Sequence, residues 1–258
     1  MGIINCTPDS FSDGGVLSSA AAAIGRGEAL IAEGADILDI GGESTRPGAS
    51  PITLEEEWAR IGAVVTALAP RFTVSVDTYK AEIARRSLAA GAHIVNDISA
   101  GRADPEMLAT VAQGKGIFIA MHSRGLPTQD DAPEGDVVSE VKAHLTERVA
   151  AARAAGIGEV WVDPGLGFGK SAADNWRLTR ELSQLRGIGD AVVYAASRKR
   201  FVRALAPEPV SHIALDELTA HLTTAAVLAG ADVVRVHAPA PSRIGLRIAE
   251  QILLVRKH

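Results

Sequence analysis

At 258 residues, 47% hydrophobic but only 4% aromatic, the chain has ample Ala, Val, Ile and Leu to build the core of one large domain. A net charge of −5, with both signs scattered along the sequence, excludes the basic stripe that a nucleic-acid surface requires. No apolar run is long enough to span a membrane, and Cys6 as the sole cysteine excludes an intrachain disulfide, so a reducing, cytoplasmic setting is expected.

Short apolar runs recur along the chain, each followed by a polar cluster and then a helical pattern. Gly2–Ile4 comes first, then a turn-rich segment from Asn5 to Gly15 and an amphipathic stretch over Ala20–Ala32. Asp36–Ile40 precedes a second turn-rich segment, Gly41 to Gly48, and a helix over Leu54–Leu68. Phe72–Val76 is followed by a helix over Ala81–Ala89, and His93–Val95 and Ile117–Met121 are the next two strands. After a helix over Val137–Ala155 come Val160–Val162, a glycine-rich turn and a helix over Asn175–Leu185. Val192–Ala195 precedes a helix whose Leu215, Leu218, Leu222, Ala226 and Ala229 share one face, and Asp232–Val236 is the eighth strand. Eight units of about 32 residues predict a single-domain (β/α)8 TIM barrel over residues 1–258. A doubly wound open sheet is the competing α/β architecture, but no glycine fingerprint follows the first strand. Because that strand opens at Met1, no segment ahead of it is expected to plug the barrel floor.

In such a barrel the reactive groups project from the carboxyl ends of the strands. Nearly every predicted strand here ends in a polar group: Asn5, Asp39, Asp77, Asn96, His122, Asp163, Ser197 with Lys199, and Arg235 with His237. Helix capping accounts for any one of them as well as a site does, but eight in register point to a site. Asp77, Asn96 and Asp163 suit the donor edge of a flat heterocycle, whose neighbouring N–H groups a carboxylate accepts in pairs. Arg235 and His237 suit an anion, and Asn5 offers the hard oxygen that Mg²⁺ prefers alongside phosphate oxygens and water. The run from Asp163 to Ser171 ends in Gly169-Lys170-Ser171, but its spacing fails the phosphate-loop pattern. It reads instead as a backbone platform, with Phe168 offering a ring face. The segments after the first two strands have the composition of mobile lids. No histidine or cysteine cluster has zinc-ligand spacing.

Eight segments together resemble the dihydropteroate synthase family and occur in the family's order. They are Asn5 with Thr7-Pro8-Asp9-Ser10-Phe11-Ser12-Asp13-Gly14-Gly15; Asp39 with Gly41-Gly42-Glu43-Ser44-Thr45-Arg46-Pro47-Gly48; Ser75-Val76-Asp77-Thr78; Asn96-Asp97; Met121-His122; Asp163-Pro164-Gly165 with Gly167-Phe168-Gly169-Lys170; Ser197-Arg198-Lys199; and Arg235-Val236-His237. The resemblance implies a TIM-barrel enzyme of folate biosynthesis, a sulfonamide target and usually a homodimer. It would join 6-hydroxymethyl-7,8-dihydropterin diphosphate to 4-aminobenzoate. By the same carry-over Asp77, Asn96, Asp163 and Lys199 hold the pterin, with Met121 and Phe168 packed nearby, and Asp77 and Lys199 are the catalytic pair. Asn5 ligates Mg²⁺ on the diphosphate, Arg235 and His237 bind that anion, and Thr45, Arg46, Pro47 and Ser197 shape the aminobenzoate site with Lys199 and Phe168. Ala195 and Ala100 stand where the family pattern has glycine, and Ala238 where it has aspartate. A non-catalytic pterin-binding paralogue is the alternative reading; a methyltransferase barrel of the pterin-binding type fits the Ser197-Arg198-Lys199 motif less well.

Overall fold

The computed structural model describes residues 1–7, 20–44, 50–124 and 135–255. Eight parallel strands follow one another around the sheet in chain order: β1 (Gly2–Asn5), β2 (Ile37–Gly41), β3 (Thr73–Asp77), β4 (Ile94–Asp97), β5 (Ile117–Met121), β6 (Val160–Asp163), β7 (Ala191–Tyr194) and β8 (Val233–Val234). A parallel bridge between Gly2 and Val236 closes the circle, with Ile3 N–H donating to Val236 O at 3.0 Å and Val236 N–H to Met1 O at 3.0 Å. The closed barrel, rather than the open sheet, is therefore the architecture.

Helices α1 (Ala20–Ala32), α2 (Leu54–Leu68) and α3 (Ala81–Ala89) have the predicted bounds, because an amphipathic period is a local property of the sequence. Thr53 and Glu56 form a reciprocal capping box that starts α2. α5 (Val137–Ala154) starts under an Asp136 cap, and α6 (Ala172–Arg180) under a Ser171–Asp174 box. The predicted sixth helix is split: α6 ends at Arg180 and a 3-10 turn, Leu182–Leu185, follows. α8 (His212–Ala229) stops at Gly230, whose φ of 118° suits a left-handed helix end. The sequence reading did not bound α4 (Met107–Gln113), α7 (Arg200–Arg203) or α9 (Pro239–Val255). The first two are shorter than two turns or nearly so, too short to display a period.

Two apolar layers lie between barrel and helices. One joins β1–β3 to α1–α3 through Ile4, Leu30, Leu38, Ile61, Val74 and Ile83. The other joins β4–β8 to the later helices through residues such as Phe118, Leu145, Leu178 and Tyr194. A third cluster fills the inside of the barrel at its amino end: Met1, Ile94, Ile119, Trp161 and Val193. Met1 and side chains of the strands themselves thus fill the floor. Inward-facing residues of β2, β4 and β6 turn from apolar to polar towards the carboxyl ends: Ile37 to Asp39, Ile94 to Asn96 and Trp161 to Asp163. Among the described residues no helix is long and apolar enough to cross a membrane.

Candidate active site

Alternation along the strands decides which polar ends face inward. In β3, Val74 and Val76 pack outward in the apolar layer, so Ser75 and Asp77 point into the barrel. The same parity turns Asp39 of β2, Asn96 of β4, Met121 of β5 and Asp163 of β6 inward. Registers place Asp77 beside Asn96 and Met121 beside Asp163, so four of the predicted residues form one arc.

Arg235, just beyond β8, crosses the mouth. Its Nε donates to Asp39 Oδ2 at 2.6 Å and one Nη to Asp77 Oδ2 at 2.7 Å. Asn96 Nδ2 makes a longer contact to the same Asp39 oxygen, 3.4 Å. The other oxygens, Asp39 Oδ1 and Asp77 Oδ1, are buried and have no partner among the described residues. Burial pushes Asp77 up to about 7 against the opposing pull of Arg235. Burial also raises Asp163, while Lys199 and the Gly165 N–H, which donates to Asp163 Oδ1 at 2.6 Å, oppose it. The buried polar ring therefore holds more acceptor capacity than donors, as a donor-rich heterocycle requires.

Lys199 enters from the loop after β7. Its ammonium donates to the Leu166 carbonyl and lies 4.8 Å from the Phe168 ring centroid, and burial pulls it down to about 8. Ser197 Oγ is 2.9 Å from His237 Nδ1 and accepts the His237 backbone N–H at 3.2 Å, joining the ends of β7 and β8. Arg198, between the two, turns away and makes a two-pronged ion pair with Asp216 of α8. Asn5 ends β1, paired with Gly41. The structure thus brings Asp77, Asn96, Met121, Asp163, Phe168, Ser197, Lys199, Arg235, His237 and Asn5 to one end of the barrel. Thr45, Arg46 and Pro47 lie outside the described residues, as does most of the first turn-rich segment.

His122 corrects the strand-end reading. It follows the inward Met121, so it faces the helices, where Nε2 meets Glu140 at 3.2 Å and the ring stands edge-on to His144. Burial holds it at about 2, and so neutral. One residue had been named without a role and one was missed. Asp39 carried no assigned role, yet it binds Arg235. Lys80 donates to Glu43 (2.5 Å), Glu57 (2.7 Å) and the Ile52 carbonyl (2.7 Å), tying together the stems on either side of residues 45–49. No local signal reveals either contact, since each partner lies at least 23 residues away.

Residues 1–237 match the family described as pterin binding enzyme. The chain is 41% identical over 245 residues to a dihydropteroate synthase of Synechocystis, covering 92% of this chain and 84% of that protein. The chain belongs to the dihydropteroate synthase family. Among solved structures, the Xanthomonas albilineans dihydropteroate synthase with 4-aminobenzoic acid superposes with a TM-score of 0.90 at 40% identity, covering 98% of this chain and 92% of that one. The Burkholderia cenocepacia enzyme complexed with 7,8-dihydropteroate gives 0.88 at 37% identity, covering 100% and 92%.

Proposed function

We infer that the chain condenses 6-hydroxymethyl-7,8-dihydropterin diphosphate with 4-aminobenzoate, giving 7,8-dihydropteroate and diphosphate. Family membership supports the reaction, and the observation that carries the pterin site is the pair of partnerless buried oxygens, Asp39 Oδ1 and Asp77 Oδ1. Leaving such acceptors unpaired costs about 1–3 kcal/mol each. A pterin supplies the missing donors along its aminopyrimidinone edge.

The chemistry follows from where charge develops. The carbon–oxygen bond to diphosphate breaks, positive charge spreads into the pterin, and the aniline nitrogen attacks the exocyclic carbon and then loses its proton. Asp77 favours that cation once it is ionised, above the value of about 7 to which burial lifts it. Arg235 holds Asp77 in place and, with His237, faces the departing anion. Asp163 and Asn96 orient the heterocycle, Met121 packs nearby, and Phe168 and Lys199 bound it on the β6–β7 side. Ser197, with Thr45, Arg46 and Pro47, shapes the aminobenzoate side. Cys6 takes no part, because burial raises its thiol to about 11.

The donors suit Mg²⁺ in a particular way. Among the described residues no group of three His, Cys, Asp or Glu could cage a cation, and Asp39 and Asp77 already serve Arg235. Asn5, at the end of β1, offers a neutral amide oxygen, which suits an ion shared with substrate phosphate oxygens and water. When bound, Mg²⁺ would neutralise the leaving diphosphate.

The second copy of a homodimer would use α9. Ile244, Ile248 and Ile252 recur every four residues and are 72%, 54% and 41% exposed, with Ile213 of α8 73% exposed. A stripe of that kind on a helix is expected to be covered by a partner. A light-scattering mass twice the chain mass, reverting to monomer in Ile248→Glu, tests this.

The reaction is tested by incubating the purified protein with pterin diphosphate, 4-aminobenzoate and Mg²⁺. Product that needs all three establishes the synthase. Pterin binding without product would favour the non-catalytic paralogue.

A further inference from the structure

We propose that Lys170 is a positioning residue for the reaction: its buried ammonium gathers the carbonyls of His122, Gly165 and Phe168 and so fixes the loop on which Phe168 and Lys199 meet. This rests on the assignment of Phe168 and Lys199 to the substrate site.

Lys170 ends the glycine-rich run that attracted notice in the sequence, but its side chain does not face the barrel mouth. Nζ donates to Gly165 O at 2.8 Å, His122 O at 3.1 Å and Phe168 O at 3.3 Å. Among the described residues it makes no ion pair, and burial pulls it down to about 7. An ammonium is a costly group to bury unpaired where a glycine turn alone would serve. This turn already has its own closing bond, Phe168 N–H to Gly165 O at 3.2 Å.

What Lys170 adds is a tie between the loop and the end of β5. Gly165, Gly167 and Gly169 have φ of 64°, 82° and 62°, so the backbone is left-handed at three places and needs external support. Asn175 of α6 supplies part of it by accepting the Gly167 N–H at 2.8 Å and donating to Ser171 O at 2.8 Å. Lys170 supplies the rest through its three carbonyl contacts. On the same loop, Lys199 docks on the Leu166 carbonyl and over the Phe168 ring. The two lysines therefore hold different carbonyls of one loop, Lys170 those of Gly165 and Phe168 and Lys199 that of Leu166.

The test compares wild type with Lys170→Met, Lys170→Gln and Lys170→Arg. Amide hydrogen exchange in the peptide spanning 163–170 should quicken at least about tenfold in Lys170→Met, while peptides from β1–β4 keep wild-type rates. KM for both substrates should rise about tenfold with a smaller change in kcat, and Lys170→Arg should restore most of it. Lys170→Gln, which keeps a shorter donor, carries the same comparison if Lys170→Met does not fold. Unchanged local exchange, or KM values within about twofold of wild type in a variant that has only lost thermal stability, would overturn the proposal. The exchange comparison needs no substrate, so it decides the positioning role even if wild type forms no dihydropteroate, a result that would instead defeat the functional reading.

Discussion

Replacing Arg235 by Met should expose how the barrel mouth is balanced. The guanidinium is only 18% exposed and bridges Asp39, which is fully buried, and Asp77, which is 11% exposed. Met fills similar volume but leaves two carboxylates facing each other. Removing one partner from a buried ion pair costs about 3–5 kcal/mol. For a chain of this size that corresponds to a fall in Tm of roughly 10 °C. The loss should also depend on pH, with a definite sign. Burial already lifts Asp77 to about 7, above its unfolded value of 3.8, and Arg235 is the main force holding it down. Without Arg235 its folded value rises further. Below pH 7 Asp77 is largely protonated in both proteins, so the deficit is smallest there. Above pH 7 wild type ionises against Arg235 while the variant keeps its proton, and the deficit grows by about 1.4 kcal/mol per pH unit until the variant titrates too. Thermal denaturation of both proteins from pH 6 to 9 measures this. A deficit that is flat across that range, or below about 1 kcal/mol throughout, would refute the assigned pairing.

Lys199→Arg should shift the alkaline limb of the activity profile. Burial holds the lysine at about 8, so its charge and wild-type activity should fall as pH rises through that value, whereas the arginine variant should keep its charge. Gly165→Ala should abolish turnover and lower Tm, because a Cβ there would overlap the His122 carbonyl oxygen; normal KM values would contradict the loop geometry. Lys115→Gly should do the opposite for stability. Lys115 is exposed, with φ of 55° just past α4, so glycine is expected to raise stability by about 0.5–1 kcal/mol, read as a small rise in Tm with activity intact.

Much of this was legible because it is local. The apolar period bounded α1, α2 and α3, and the recurring strand–turn–helix rhythm counted the units of the barrel. Asp77, Asn96 and Asp163 were recognisable because strand ends are where such barrels place polar groups. His122 shows the limit of that rule: period-two alternation from Met121 turns it outward, a signal that was present in the sequence and decided the matter. Asp39 shows the opposite case. Nothing near it in sequence announces Arg235, which lies 196 positions away and meets it only because β8 closes against β1.

By itself the sequence determined the eight-unit barrel, the family and the residue types gathered at its mouth, since periodicity and motif spacing are properties of short stretches. Only the tertiary structure decided which groups pair and at what charge. Desolvation depends on all the strands that surround a carboxylate, so Asp77 near 7 and Lys199 near 8 are consequences of closure. The same holds for direction. Lys170 and Lys199 belong to motifs that look equally functional, and only the tertiary packing ties one to the His122 carbonyl after β5 and the other to the Leu166 carbonyl.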